Sequence, residues 1–228
     1  MTLHQLISQS RQVSGFDRVV LRCSAGESTL IITQGGKEAL TIQARPEIAS
    51  RIKTEVWNGQ LTITAGGGWS DRLGDMFQTS LTRPQITYWL TVNRLVDLQI
   101  TGFARVRFDS LDTDRLALRF SGAGGVQIGS ITAGLLEVDL RWAGQVEVAG
   151  KVTEQRVQVS MGTYTAPKLQ SKKTAVTLRG GGYATVWAVD ALDLVVRGPG
   201  GVAYYGSPTV SRSLSPVARV TRLGALPA

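Results

Sequence analysis

A chain of 228 residues, 43% of them hydrophobic, can bury a sizeable core and suits a single domain, compact or elongated. Its formal charge of +8 brings an acidic partner into view, but the basic residues are scattered singly and Lys172-Lys173 is their only adjacent pair, so nucleic acid is not an expected partner. The sole cysteine, Cys23, excludes an intramolecular disulfide and a thiolate metal cluster, and no apolar run reaches the roughly 18–20 residues of a spanning helix.

Abundant glycine, recurrent Val and Thr, and sparse Lys and Glu predict β-structure throughout. Residues 1–10 read as a loose N-terminus. Met1 to Gln12 lacks the basic end and apolar stretch of a signal peptide, so either a cytosolic protein or a separated targeting segment is expected. Residues 11–224 read as one elongated domain, whose first part runs to residue 95. Strands are expected near 16–22, 29–34, 39–44, 51–56, 60–64 and 86–92, with Cys23 a small buried residue on a strand. Asn58-Gly59 signals a hairpin.

Between the last two of these strands lies an irregular, oddly apolar segment, residues 66–84. Trp69, Leu73, Met76 and Phe77 recur there at helical spacing behind Ser70, a candidate N-cap. Two readings stand: a short helix or lid over an open end, or an exposed interaction surface.

From residue 96 the chain repeats. Val96, Leu98 and Ile100 alternate with polar residues, Thr101-Gly102 turns the chain, and Ala104, Val106 and Phe108 alternate again. Leu116 to Phe120, Ser121-Gly122 and Val126 to Ile128 repeat the unit, as do Leu136 to Leu140 and Val146 to Val148. Val106, Val126, Val146, Ala166 and Val186 keep a spacing of 20, and Val202 follows after 16. Around Val157 and Val159 the pattern slips by one residue, which suggests a bulge.

Short alternating strands turned by glycine, with nothing helical between them, predict an all-β fold: a right-handed parallel β-helix (solenoid) with coils of about 20 residues. A single coil cannot bury its apolar face, so the coils must stack, which places Arg119 beside Asp139. Residues 217–223 are expected to close the far end, because an uncovered strand edge recruits other chains.

Chemistry is sought next. His4, the only histidine, lacks visible partners for a triad or a zinc site. Asp109, Asp112 and Asp114 cluster at one turn and could bind Ca²⁺ or act on a glycoside. The positions 20 residues on are Gly129, Thr132 and Gly134, so no acidic groove crosses the coils. Glu137, Asp139 and Glu147 read as solvated outward residues. The glycine runs at 66–68, 180–182 and 198–201 lack the Lys-Ser/Thr pair and helix of a phosphate loop. No catalytic residue, cofactor or metal site is expected.

Several stretches are similar to a known family. They are residues 13–19, Leu61-Thr62-Ile63 after the Asn58-Gly59 turn, Thr101-Gly102, Ser121-Gly122-Ala123-Gly124, Val148-Ala149-Gly150 and residues 198–208. Together they resemble the head GIN domain family of putative autotransporter adhesins, over roughly residues 11–224. Trp142-Ala143-Gly144 and Met161-Gly162-Thr163 stand where that family has Ser-Gly corners. The resemblance implies a β-helical domain in the cell envelope or outside the cell, adhesive or structural; with no catalytic centre visible in the sequence, an enzyme is not expected. It leaves a carbohydrate- or protein-binding module using Trp142, Trp187 and Tyr204-Tyr205 as the alternative, with a polysaccharide-acting enzyme behind both. Another protein or a surface glycan is the expected partner, and self-association stays open.

Overall fold

The computed structural model describes residues 6–66 and 85–224. These are almost entirely strand, with one helical turn, α1 (Pro46–Ala49), which Pro46 opens with its φ already fixed for a helix. Among the described residues thirteen strands join in one partly mixed sheet. β1 (Ile7–Arg11), β2 (Arg18–Gln34), β3 (Ala39–Ala44), β4 (Lys53–Trp57), β5 (Gln60–Ala65) and β6 (Gln85–Val92) form its first part. β7 (Asp97–Leu140), β8 (Gln145–Val159), β9 (Thr163–Leu178) and β10 (Tyr183–Val196) are the long central strands. β11 (Gly201–Tyr205), β12 (Thr209–Leu214) and β13 (Arg219–Gly224) end it.

The first part mixes directions. At Asn58 and Gly59, with φ of 47° and 72°, the chain reverses, and β4 pairs antiparallel with β5. Both residues have the positive φ that a tight hairpin turn requires. β3 runs antiparallel to β6, and β1 antiparallel to β3. Strand pairing therefore begins at Ile7, and residues 7–10, expected to be loose, are part of the sheet. β2 lies at the junction: one edge pairs in parallel with β5 and then β6, the other with β7.

From β7 onward every pairing is parallel. β7 is far too long for one straight strand, and it bends back to lie on itself 20 residues later. The glycines show how close the layers come. A Cβ on Gly122 would lie 1.9 Å from the carbonyl oxygen of Gly102, and one on Gly102, at φ +99°, would lie 1.8 Å from that of Cys23. Neither corner has room for a side chain. Gly125 to Ile128 then pair with Gln145 to Val148 at the same spacing, and a register shift after Ile128 drops it to 19, so Leu140 pairs with Val159. This is the slip expected near Val157.

The spacing of 20 does not persist along the series of small apolar residues. Val146 pairs with Tyr164, not Ala166, and Ala184, not Val186, pairs with Val202. The irregularities fall where the ladder is interrupted. Ala166 still pairs with Val186, but Trp187 pairs with Gln170, so β9 carries extra residues around Pro167. Proline has no N–H to donate to a ladder, and such an insertion is where it is tolerated.

The core follows the alternation. Val126 is 2% exposed and Ile128 1%, while Gln127 between them faces out. One apolar cluster runs from Val13 to Val202. Cys23 is buried on β2. At the far end β12 pairs with the second half of β10, and β13 lies parallel to β11. Residues 219–223, within the expected closing segment, thus belong to the last strand.

Candidate functional site: an open groove on the outer sheet face

Outward residues of the second half of each repeat stack in rows. Ile31 pairs with Trp89 on one side and Arg107 on the other. The Arg107 guanidinium donates to Gln127 Oε1 from Nε at 3.3 Å and Nη2 at 3.2 Å, and Gln127 pairs with Glu147. A parallel row holds Thr29, Arg105, Gly125 and Gln145. All of these residues but Trp89, with Gly124 and the edges of Val106 and Val126, line an open groove of about 620 Å³.

The groove presents both signs of charge with neutral amides between them. Arg105 is held by Glu27 through Nη2 at 3.0 Å, which fixes one wall. Glu147 has no ion-pair partner among the described residues, so its carboxylate remains available to accept hydrogen bonds. Two glutamine amides can donate to or accept from hydroxyl groups, and a guanidinium can donate to them. Gly125, with no side chain, leaves room for a ligand's close approach. Trp89, partly exposed, adjoins Ile31 at one end. Such an arrangement suits a neutral polyhydroxylated ligand or a peptide backbone.

The carboxylates weighed in the sequence are dispersed. Asp114 faces Arg94 at 3.5 Å, and the backbone N–H of Asp112 donates to Gln34 Oε1 at 2.8 Å. Glu137 is bridged by Arg115 and Arg156, and Asp139 by Arg141 at 2.8 Å. Arg119 turns to Asp97 and not to Asp139. Its long side chain reaches diagonally across the ladder, so adjacency in register does not decide its partner. Among the described residues no three His, Cys, Asp or Glu side chains converge as a metal site.

Two polar clusters lie inside the stack. Tyr164 donates to Gln155 Oε1 at 3.0 Å, Gln155 Nε2 to Ser171 Oγ at 2.7 Å, and Ser171 Oγ to the carbonyl of Trp187 at 2.9 Å. Thr174 completes this cluster, and burial raises the Tyr164 phenol far above its ordinary value. In the other, burial pushes the Cys23 thiol up to about 11, against a smaller lowering by Ser28. Tyr88 is raised by burial and by Cys23, against a smaller lowering by Ser28.

Trp69, Leu73, Met76 and Phe77 lie outside the described residues, as does His4. Of the other aromatics, Trp142 is 59% exposed, whereas Trp187, Tyr204 and Tyr205 are half-buried. The groove was missed in the sequence, although its signal was present. Arg107, Gln127 and Glu147 each follow one of the valines spaced by 20, so they had to share an outer row.

The described residues thus define an all-β chain whose repeats stack in parallel. The family described as "Putative auto-transporter adhesin, head GIN domain" matches residues 16–208, and the chain belongs to it. Solved structures share the fold. A crystal structure described as a putative adhesin from Bacteroides fragilis is 24% identical, with a TM-score of 0.81 over 96% of this chain and 97% of that one. One described as a putative lipid binding protein from Parabacteroides distasonis is 20% identical, with a TM-score of 0.70 over 97% and 98%. A putative adhesin from Parabacteroides merdae is 13% identical, with a TM-score of 0.71 over 97% of each chain. Among curated proteins nothing matches.

Proposed function

We propose that this chain is a non-enzymatic adhesion module of the cell envelope or cell exterior: a right-handed parallel β-helix that presents a recognition groove on one outer face. The winding is supported by β10, whose two halves pair in parallel with β11 and then β12, as one turn laid on the next. The groove at Arg107, Gln127 and Glu147 carries the functional reading. Inward residues are committed to packing, so recognition falls to outward ones, and here they combine a guanidinium, amides and a free carboxylate around Gly124 and Gly125. A surface glycan fits that chemistry best, and membership of an adhesin-named family supports the setting.

A glycan array probed with the intact chain and with Gln127→Ala/Glu147→Ala tests the reading. Binding of a defined glycan by the wild type, lost in the double variant while its melting temperature is unchanged, is the expected result. No glycan bound, or equal binding by both proteins, would overturn the groove as the recognition site.

A further inference from the structure

Positive charge is distributed unevenly along the stack. Residues 150–228 hold ten basic and three acidic side chains, so +7 of the formal +8 lies in the last third of the sequence. Ion pairing is just as uneven. Among the described residues the ion pairs fall between Asp17 and Arg156, and none involves the eight cations from Lys168 to Arg222. Only two carboxylates, Asp190 and Asp193, occur in that stretch.

Three of these cations gather at one corner. The N–H of Arg179 donates to the carbonyl of Val159, and that of Arg197 to the carbonyl of Leu178, so the two arginines occupy the same position in successive repeats. Adjacent parallel strands lie about 4.8 Å apart, so two exposed arginines project from neighbouring positions, and neither has an ion pair among the described residues. Arg219 follows at the other end of this corner, where its N–H donates to the carbonyl of Gly200. Between them lies an exposed aromatic face. Tyr183 is 54% exposed, its ring lies against Gly201, and Gly201 pairs with Arg219. Gly181 in the turn is exposed, and a Cβ there would meet nothing within 4 Å.

Like charges one strand apart repel, whereas Arg94, Arg105, Arg115, Arg119, Arg141 and Arg156 each face a carboxylate. We infer that the corner formed by Arg179, Arg197, Arg219 and Tyr183 binds an anionic polysaccharide, with the three guanidinium groups on its acidic groups and Tyr183 against a sugar ring. These residues are distinct from the groove, so the inference stands or falls separately from the glycan reading there. Polyuronate fits better than nucleic acid because the corner offers one exposed ring face instead of the run of aromatics that stacks successive bases.

Binding of polygalacturonate, of neutral dextran and of a single-stranded oligonucleotide to the intact chain tests the inference. Polygalacturonate should bind tightest, with affinity falling about tenfold or more between roughly 50 and 200 mM salt. Arg179→Gln/Arg197→Gln/Arg219→Gln should weaken it by about tenfold, whereas Arg18→Gln/Arg115→Gln/Arg156→Gln, with the same change in net charge, should weaken it less than about twofold. Equal losses in the two triple variants would reduce the effect to net charge and overturn the site. Tighter binding of the oligonucleotide, or equal binding of dextran, would overturn the ligand class. If the first variant melts early, Arg197→Gln alone must still weaken binding by about threefold; an unchanged affinity refutes the site.

Discussion

Tyr164 and Gln155 meet inside the stack, where the phenol hydroxyl donates to the amide oxygen at 3.0 Å. Both side chains are fully buried, so neither can turn to water. Tyr164→Phe leaves Gln155 Oε1 without that donor and should cost about 1–3 kcal/mol in urea denaturation. Adding Gln155→Met removes the other side of the bond, so the double variant should lose less than the sum of the single losses. Strict additivity would show that the bond contributes nothing.

Cys23 links stability to pH. The thiol's ordinary value is 9.0 and burial raises it to about 11 in the folded chain. Between those values the unfolded chain has released the proton while the folded chain retains it. The contribution is therefore complete below about pH 9 and is lost as pH rises towards 11. Urea titrations of wild type and Cys23→Ala at about pH 8 and about pH 10.5 should show the wild type losing more stability than the variant. Parallel losses would contradict the raised thiol.

Gly102 and Gly181 separate a closed corner from an open one. Gly102→Ala would drive a methyl group into the carbonyl of Cys23 at a φ that side chains avoid, and should lower the melting temperature sharply. Gly181→Ala meets nothing and should change stability by under about 0.5 kcal/mol. Equal tolerance of the two substitutions would mean that the layers do not stack as closely as described.

β13 covers the edge of β11. A chain ending at Leu214 keeps β12 but exposes the ladder groups of β11, an edge ready to pair with other chains. Size-exclusion chromatography should show new oligomers or aggregates. A truncated chain that elutes as the intact one does, at equal stability, would contradict the closing role of residues 215–224.

Much of this fold was legible because side-chain alternation and turn chemistry are local. Val126 in and Gln127 out, the Asn58-Gly59 reversal and the buried Cys23 could each be read from a few neighbours. Register beyond Val146 was not legible. The residues inserted around Pro167 shift the pairing without disturbing the alternation on either side, so apolar spacing alone pointed to Ala166 in place of Tyr164. The partner of Arg119 was lost for a related reason, since a long side chain selects among several carboxylates within reach. The groove at Arg107, Gln127 and Glu147 depends on curvature, and alternation says which residues face out without saying where the outer surface is concave.

Val126 and Gln127 offer the most direct test, because the core and the groove both depend on their facing opposite ways. Val126→Asp places an unpaired carboxylate in the apolar interior, a change that costs several kcal/mol and can unfold a domain of ordinary stability. Gln127→Asp alters only the groove wall and should shift stability by under about 0.5 kcal/mol. Thermal unfolding of the two variants beside the wild type should therefore give a large loss for Val126→Asp and almost none for Gln127→Asp. Comparable losses would contradict the register, and with it both the stacked core and the groove built on its outer face.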